Sequence, residues 1–293
     1  MSFQKFIALL KAAELKSISL AAEQMGYSQP AVSKMVADLE EDWQVELLRR
    51  SRAGVEPSSE CLRLLPFLRT IEADYKALAF AVSELSGAQS GLVRVGIFTS
   101  VADMWVPGLL KSFQAKYPNI EFELVNMNTY AEIESSIRLG KVDCGFVSLP
   151  TANDLDAHFL MRDELVAVLP VDHPLANAVF FPVRELEGAP FIKLLETADY
   201  EVSRFLEQLP YTPAVQYEVG SDHTILSMVE CGLGISITHS LIADNPRYNV
   251  LHKRFDAGQH RDIAIATAKN TRLSGATQLF IDHVCAQFSQ EKK

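Results

Sequence analysis

Residues 17–39 carry the most informative pattern in the chain and read SISLAAEQMGYSQPAVSKMVADL. The first part predicts a short apolar helix with two adjacent alanines, with Ser19 as its cap and Gly26 at its end. A second helix is predicted just beyond, where Ser28 can cap it and a proline occupies its first turn. Because alanine side chains are small, the two helices can pack closely. Two short helices joined by so tight a turn predict a helix-turn-helix unit.

The second helix of this unit has two different faces. Val32, Val36 and Leu39 recur at helical spacing and predict a buried stripe. Small polar and amide side chains on the other face suit the major groove of DNA, where glutamine pairs with adenine and serine or lysine with several base edges. An ordinary three-helix core with a solvated face gives the same spacing and stays open as the alternative. The outward residues are Ser28, Gln29, Pro30, Ser33 and Lys34.

Arginines follow this unit in a segment rich in turn residues. Arg49, Arg50 and Arg52 lie between two β-like stretches, which predicts a wing whose cations contact DNA phosphates. A solvated arginine cluster is the alternative. The chain has 27 Lys and Arg against 37 Asp and Glu, a net charge of −10, so only local clustering can attract phosphate. Useful affinity then requires two or more copies of the unit on one DNA.

Residues 58–90 form one long periodic stretch that could bring two copies together. Their apolar side chains recur three and four residues apart, which predicts a heptad seam and pairing with the same helix of a second chain. A helix lying along its own protein would show a similar stripe. Pro66 interrupts the pattern, because proline inside a helix costs about 3 kcal/mol unless the helix kinks or starts there. The seam begins with Cys61, and the residues assigned to dimerisation are Leu64, Leu68, Ile71, Tyr75, Leu78, Val82 and Leu85.

Residues 91–293 alternate short apolar runs with amphipathic helical windows, which predicts an α/β fold. Apolar runs at 93–98, 120–124 and 142–147 predict the first strands, and their strand–loop–helix order predicts a parallel sheet. Ligands bind such sheets at the carboxyl ends of the strands, beside the N-termini of the following helices. A helix N-terminus with nearby hydroxyl groups favours a small anion.

Later apolar runs predict that this domain has two lobes. We expect the first lobe at about 91–162 and 267–293 and the second at about 163–266. The chain then crosses between the lobes twice. The cleft between the lobes is therefore the natural site for a small-molecule effector.

Composition and motifs exclude several classes of protein. With 48% hydrophobic and 22% charged residues, the chain suits a well-packed globular fold. It has no apolar run long enough to span a bilayer and no signal-peptide pattern, so we expect a cytoplasmic protein without a membrane partner. The four cysteines stand far apart without a CxxC pair, so neither a metal site nor another cofactor is expected. The absence of GxSxG, GxxxxGKS, GxxxxGKT and HExxH motifs argues against an enzyme.

Three further residues with reactive side chains are interpreted as structural. Cys144 lies in an apolar run with no recognisable base beside it, so we expect a core residue rather than a nucleophile. His223 and His239 have no partner at the spacing of metal ligands, and we expect them at the surface or in packing.

The string Ser-Gln-Pro-Ala-Val-Ser at residues 28–33, after a helix with paired alanines, resembles the N-terminal pattern of the LysR-type transcriptional regulators. The resemblance implies an N-terminal all-α winged helix-turn-helix domain over residues 1–57, followed by a long linker and dimerisation helix over residues 58–90. It implies a C-terminal α/β effector-binding domain over residues 91–293, with two lobes like those of periplasmic binding proteins. The other residues that carry the resemblance are Phe6, Ser17, Ala21, Ala22, Met25, Leu39, Glu40, Arg50 and Arg52.

The chain departs from the family pattern after the second helix of the helix-turn-helix unit. The family usually has Leu-Gly where this chain has Trp43-Gln44. Losing the glycine puts the wing geometry in question, because a turn there can need a positive φ. Ser58 stands where the family has threonine and can still cap the linker helix. The resemblance places Ser28, Gln29, Pro30, Ser33 and Lys34 in the groove and Arg50 and Arg52 on the wing.

The resemblance also implies the partners and the effector site. The partners are double-stranded DNA, a small-molecule effector, copies of the chain as a homodimer and a homotetramer, and RNA polymerase. Helix capping is the alternative role for Ser100 and Thr129, and solvation is the alternative for Lys193. A constitutive regulator or DNA-bridging protein with a vestigial cleft is the alternative function. The residues placed at the cleft are Thr99, Ser100, Thr129, Lys193, Leu194 and Ser221.

Overall fold

The computed structural model describes residues 2–51, 54–85, 89–195, 200–256, 258–269 and 271–290. The chain forms two compact units. The first consists of Met1–Leu85 and Asn270–Gly275, and the second of Ser86–Lys269 and Ala276–Lys293.

The first unit contains helices and a β-hairpin. Leu9, Leu39 and Leu47 pack with Cys61 in its larger core. A smaller core consists of alanines from two helices around Val32, so the close packing predicted from the paired alanines is confirmed. The elements are α1 (Phe3–Leu15), α2 (Ile18–Met25), α3 (Gln29–Trp43), β1 (Leu48–Ser51), β2 (Gly54–Pro57) and α4 (Ser59–Leu85).

The ends of α2 and α3 show where local sequence signals hold and where they fail. Ser17, and not Ser19, caps α2, because its hydroxyl oxygen accepts a hydrogen bond from the Leu20 amide at 3.2 Å. Gly26 ends this helix with a φ of 69°, as predicted. Ser28 precedes α3, but its side chain makes no capping hydrogen bond to that helix.

The hairpin of β1 and β2 is tied to the turn between α1 and α2. The Val55 amide donates a hydrogen bond to the Lys16 carbonyl oxygen at 2.9 Å. Gly54 has a φ of 133°, and a Cβ atom there would lie 2.3 Å from the same oxygen. Only glycine therefore fits at this approach of two backbones.

Helix α4 begins beside this hairpin and continues through Pro66. Ser58 caps it as predicted, since its hydroxyl oxygen accepts a hydrogen bond from the Cys61 amide at 3.0 Å. The hydroxyl of Thr70 donates to the Pro66 carbonyl at 3.1 Å. Pro66 therefore lies inside one helix and does not divide it.

The second unit is an α/β structure. Its main sheet has the strand order β4-β3-β5-β12-β6-β11-β7, with β10 also paired to β6, and a separate small sheet holds β8 and β9. A short 3-10 helix spans Val183–Leu186. The elements are β3 (Gly91–Ile97), α5 (Thr99–Met104), α6 (Val106–Gln114), β4 (Ile120–Asn126), α7 (Tyr130–Arg138), β5 (Cys144–Leu149), β6 (Leu155–Pro170), β7 (Phe180–Phe181), β8 (Phe191–Leu194), α8 (Tyr200–Glu207), β9 (Val215–Val219), α9 (Asp222–Glu230), β10 (Ser236–His239), α10 (Ser240–Ala243), β11 (Val250–Phe255), β12 (His260–Ala268) and α11 (Gly275–Gln290).

The long strand β6 divides this unit into two lobes. Residues 155–164 of β6 pair with β12, whereas residues 165–170 pair with β10 and β11. We call the part with β3–β5, α5–α7, β12 and α11 the first lobe. The part with β7–β11 and α8–α10 is the second lobe. Both lobes share β6, so they are joined through one continuous strand.

The sheet differs from the expected parallel sheet in one respect. Strands β3, β4 and β5 are parallel, as predicted, but β12 runs antiparallel to both β5 and β6. Strand β12 returns from the second lobe, so it enters the sheet from the opposite end. It lies beside β5 from Asp262 to Ala266, at the apolar run where the chain returns to the first lobe.

Candidate functional site

The first turn of α3 is the exposed polar surface of the first unit. Ser28, Gln29, Pro30 and Lys34 are exposed and Ser33 is half-buried. On the opposite side of the helix, Val32, Val36 and Leu39 are buried, as predicted. The helix is therefore fixed along its apolar face while the outward turn is accessible to a partner.

The turn after α3 positions the hairpin. Gln44 adopts a φ of 54°, and its side-chain amide donates to the Glu41 carbonyl at 2.7 Å. This position does require a left-handed backbone, and glutamine adopts it in place of the usual glycine. One carboxylate oxygen of Glu40 accepts hydrogen bonds from the Leu47 and Leu48 amides at 2.7 and 3.0 Å. Glu40 thereby fixes the start of β1 against α3.

The predicted wing arginines are only partly within the described residues. Arg49 lies on β1 with an exposed side chain, and its Nε atom donates to the Glu46 carboxylate at 3.0 Å. The backbone of Arg50 pairs with Val55 in the hairpin. The side chain of Arg50 and the whole of Arg52 lie outside the described residues.

The apolar seam of helix α4 is buried at the start of the helix and exposed further along it. Cys61 and Leu68 belong to the core of the first unit, and Leu64 packs against it. Leu68 is only 4% exposed, which leaves little of its side chain for a second copy, whereas Leu64 is half-buried and its assignment to dimerisation stays a prediction. The rest of the seam stays exposed although it is apolar. Its residues are Ile71, Tyr75, Leu78, Val82 and Leu85.

In the second unit, the structure brings Ser100 into a polar network at the junction of the two lobes. Ser100 lies in the first turn of α5 and is 2% exposed. Its hydroxyl oxygen accepts a hydrogen bond from Nη2 of Arg261 at 2.8 Å. The same guanidinium binds the Asp163 carboxylate at 2.7 Å and the Tyr130 hydroxyl at 2.6 Å. Ser100 thus makes a side-chain interaction beyond its place at a helix start.

The other hydroxyl residues placed at the cleft occupy helix starts. Thr99 is the first residue of α5 and is half-buried. Thr129 is exposed, and its oxygen accepts a hydrogen bond from the Glu132 amide at 3.2 Å, which is a capping interaction for α7. Ser221 occupies the cap position of α9 without a side-chain capping bond. Capping therefore accounts for Thr129 in this conformation.

The two cleft residues of β8 differ from each other. Lys193 is half-buried, with its Nζ atom 3.9 Å from the Glu218 carboxylate. Leu194 packs in a hydrophobic core with Ile192 and Ile225. Neighbouring residues on a strand point to opposite faces, so Leu194 turns its side chain into this core while Lys193 faces the other side, and the effector role of Leu194 stays a prediction.

Two further polar contacts join the lobes. Nε2 of His223 on α9 lies 2.6 Å from the Asp103 carboxylate on α5, and the Tyr248 hydroxyl lies 3.0 Å from Nδ1 of the same ring. The Ser148 hydroxyl at the end of β5 donates to the Glu201 carboxylate on α8 at 3.0 Å. The lobes are therefore in polar contact in this conformation.

Buried ionisable groups lie close to these contacts. Burial raises the pKa of the Asp222 carboxyl, while Arg261 and the Thr238 hydroxyl act in the opposite direction. Burial lowers the pKa of the His239 ring well below its usual value, and Arg261 adds to this effect. His239 is therefore a neutral packing residue at neutral pH.

Cys144 and the possible metal ligands among the described residues can be judged from their surroundings in the structure. Cys144 is fully buried in β5, and this burial raises the pKa of its thiol well above the usual value. Across the described ranges, His, Cys, Asp and Glu side chains form no group of three or more that could hold a metal ion. None of the described helices combines the length and the apolar character needed to cross a bilayer.

Two family models match the chain, one over the first compact unit and one mainly over the second. Residues 3–62 match the bacterial regulatory helix-turn-helix protein model of the lysR family, and residues 86–289 match the LysR substrate binding domain. The chain belongs to the LysR family. It is a DNA-binding transcriptional regulator with an effector-binding domain, and its relatives are regulators rather than enzymes.

Individual LysR-family proteins are similar to between two thirds and nearly all of the chain. The probable HTH-type transcriptional regulator LrrA of Synechococcus elongatus is 31% identical over 246 residues, which cover 83% of this chain and 82% of LrrA. Full-length OxyR C199D of Pseudomonas aeruginosa is 20% identical with a TM-score of 0.79, over 97% of this chain and 94% of that one. The CcmR regulatory domain of Synechocystis PCC6803, in complex with 2-PG, is 26% identical with a TM-score of 0.61. That alignment covers 68% of this chain and 98% of the CcmR domain.

Sequence reasoning missed the polar residues that surround Ser100 in this LysR-family regulator. Arg261, Asp163 and Tyr130 come from strands and helices that are far apart in the chain. No local spacing relates them. Asp163 and Arg261 stand just before the apolar runs at 165–169 and 263–266, so no sequence pattern marked them as buried partners.

Proposed function

We propose that this regulator binds its operator as a dimer, with the first turn of α3 in the major groove and the hairpin along the phosphates. The observation that carries the proposal is the exposure of Ser28, Gln29 and Lys34 on a helix whose other face is buried. Such a turn can enter a groove without any change in the fold. Ser33 and Pro30 would lie beside the bases, and Arg49, Arg50 and Arg52 would contact the backbone.

Dimerisation through α4 is the second part of the proposal. Ile71, Tyr75, Leu78, Val82 and Leu85 form an exposed apolar seam, and Leu78 alone is 62% exposed. A seam of this kind is typical of a helix that packs against a second copy. Two copies also supply enough phosphate contacts for affinity. Pairs of dimers and contact with RNA polymerase would extend this assembly in the cytoplasm, where the operator lies.

The third part concerns the effector. We place a small molecule with an acid group at the junction of the lobes, near Thr99, Ser100 and Thr129, with Lys193 and Ser221 on the second lobe. Thr99, Ser100, Thr129 and Ser221 follow the carboxyl ends of strands, which is where α/β sheets bind ligands, and Lys193 lies near the end of β8. The similar CcmR regulatory domain binds a small molecule, 2-PG. A state-dependent difference in affinity of about 1–3 kcal/mol would couple the effector to DNA binding.

Light scattering tests the dimer. We expect the mass of the Ile71→Asp/Leu78→Asp variant to fall to that of a single chain, because two carboxylates would face each other across the seam. Leu233→Asp is the matched control, since Leu233 is an exposed apolar residue outside α4. An unchanged mass of the seam variant would refute dimerisation through α4.

Fluorescence anisotropy tests the response to an effector. A duplex selected by the protein from a random pool is titrated with and without acetate, malonate or succinate. A regulator gives a shifted affinity or altered bending of the DNA with at least one acid. If amines but no acids produce this response, the acidic effector class is wrong. If nothing produces it, the constitutive DNA-bridging function is favoured.

A further inference from the structure

Arg261 is the most deeply buried cation in the described part of the chain. It is 5% exposed, and no other lysine or arginine among the described residues is buried to this extent. It lies near the start of β12, where the chain returns from the second lobe. Burying a charge is costly unless hydrogen-bond partners compensate for it. The partners of Arg261 therefore indicate the role of its charge.

The guanidinium of Arg261 is held in one orientation. Its Nε and Nη2 atoms donate to the same carboxylate oxygen of Asp163 at 3.0 and 2.7 Å. Its Nη1 atom donates to the Tyr130 hydroxyl at 2.6 Å, and its carbon lies 5.0 Å from the centre of the Phe98 ring. Because the guanidinium is planar, these contacts also fix the direction of the bond from Nη2 to Ser100.

This bond determines what Ser100 can offer to a ligand. A serine hydroxyl has one O–H donor and two acceptor lone pairs. Arg261 donates to one lone pair, so the O–H bond of Ser100 points away from the guanidinium. A hydroxyl polarised by a cation is also a stronger donor. The best partner for it is a group that only accepts hydrogen bonds, such as a carboxylate.

The ion pair extends from the first lobe to the second. The other oxygen of Asp163 accepts hydrogen bonds from the Ser240 hydroxyl at 2.8 Å and the Leu241 amide at 2.9 Å, both at the start of α10. A chain of hydrogen bonds therefore runs from Ser100 through Arg261 and Asp163 to α10. A group bound at Ser100 acts on one end of this chain.

We infer that Arg261 is a positioning and specificity residue of the effector site, which orients Ser100 to donate a hydrogen bond to an ionised acid group of the effector. This inference rests on the proposed function, because it concerns the same junction. Arg261 makes the site selective for acids over their neutral amides. Asp163 keeps the cation in place and links it to the second lobe.

Calorimetry of the full-length protein tests the inference with defined probes. The probes are acetate, malonate and succinate, each compared with its neutral amide. The Arg261→Gln/Asp163→Asn variant removes both charges while keeping a donor facing an acceptor, so it avoids leaving a single buried charge. Ser100→Ala removes the donor itself. Arg162→Gln is the matched control, because Arg162 is exposed and bonded to Asp262 at 2.9 Å.

We expect at least one acid to bind the wild-type protein while its amide does not. Its affinity should fall about tenfold or more in the double variant and in Ser100→Ala, as for a lost hydrogen bond to a charged group. Arg261→Lys should restore part of the affinity, because it keeps the charge without the forked geometry. Arg162→Gln should bind as the wild type does.

Two results would overturn the inference, and they differ in what they leave standing. If an acid binds the wild type and the double variant equally well, Arg261 has no role in selection, but the proposed effector site survives. If no acid binds the wild-type protein, the acidic effector class fails together with the role of Arg261. Circular dichroism of each variant confirms that a loss of affinity is not a loss of fold.

Discussion

The first turn of α3 and the junction around Arg261 present their polar groups in opposite ways. The α3 turn presents exposed side chains on a helix whose stability comes from the buried opposite face. The junction instead holds its polar groups out of water and bonds them to each other. A DNA duplex is large enough to cover exposed side chains when it binds, so the protein can present its DNA-binding residues in solvent. A small effector must be enclosed, and enclosure requires buried polar groups.

This difference predicts how each region responds to substitution. Exposed residues of α3 can change with little effect on stability, because they contact solvent in the free protein. Residues of the junction cannot, since each buried polar group depends on a partner. The changes below are ordered by the expected loss in free energy of unfolding, from the largest to the smallest.

Asp163→Ala should have the largest effect on stability. It leaves the Arg261 charge buried without its carboxylate, which costs about 3–5 kcal/mol. Trp105 lies in the second unit, so urea denaturation followed by fluorescence in a Trp43→Phe background reports on this unit. Asp156→Ala, an exposed position on the same strand, is the control. A loss below about 1 kcal/mol for Asp163→Ala would remove the contrast between the two regions.

Gly54→Ala should have the next largest effect, and in the first unit. The new Cβ atom would meet the Lys16 carbonyl oxygen on a backbone with a φ of 133°, at a cost of about 1–3 kcal/mol. The hairpin would shift, so DNA affinity should fall as well. Denaturation in a Trp105→Phe background, with Trp43 as reporter, measures this. Gly108→Ala, followed through Trp105 in a Trp43→Phe background, is the control, because its helical site in the second unit is open and alanine there should stabilise α6. If the two substitutions changed the free energy of unfolding equally, the close approach of Gly54 to the Lys16 carbonyl would be contradicted.

The pH dependence of stability should show a smaller effect that arises in the second unit. The pKa of His239 is lowered in the folded protein. As the pH falls below about 6.5, this ring therefore binds a proton in the unfolded state but not in the folded state. Stability is then complete above a pH of about 6.5 and falls below it, by about 1 kcal/mol in the first pH unit. The pKa values of His173 and His283 are lowered too, so His239→Gln should reduce the slope rather than abolish it. Thermal unfolding between pH 7.5 and 5.5 measures both slopes, and parallel curves would contradict the role of His239.

Much of the first unit could be predicted because its signals are local. The turn at Gly26, the buried stripe of α3 and the cap at Ser58 each depend on residues within a few positions of one another. Ser19 was the predicted cap because it directly precedes the apolar stretch, whereas the backbone places the Ser17 oxygen against the Leu20 amide. The core position of Leu68 was hidden for a different reason. A regular seam does not reveal where its partner changes from the same chain to a second copy.

The junction could not be predicted in the same way. Parallel strands were predicted where strand–loop–helix units repeat, but the antiparallel return of β12 leaves no mark on its own residues. Arg261 finds Ser100 across 161 positions of sequence and Asp163 across 98. Hydrogen-bond networks between distant segments follow from the fold and not from spacing. Leu194 illustrates a related difficulty, since a position along β8 can be assigned from the sequence while the packing of its side chain in a core is visible only in the fold.

Gln29→Ala tests the central claim most directly, and it should leave stability almost unchanged because Gln29 is exposed. Anisotropy titrations compare the selected duplex with a scrambled duplex at several salt concentrations, with Gln114→Ala, an exposed amide outside the first unit, as control. We predict a loss of about 1–3 kcal/mol on the selected duplex, no change on the scrambled one and the same salt slope. Equal weakening on both duplexes, or none on either, would contradict the placement of α3 in the groove.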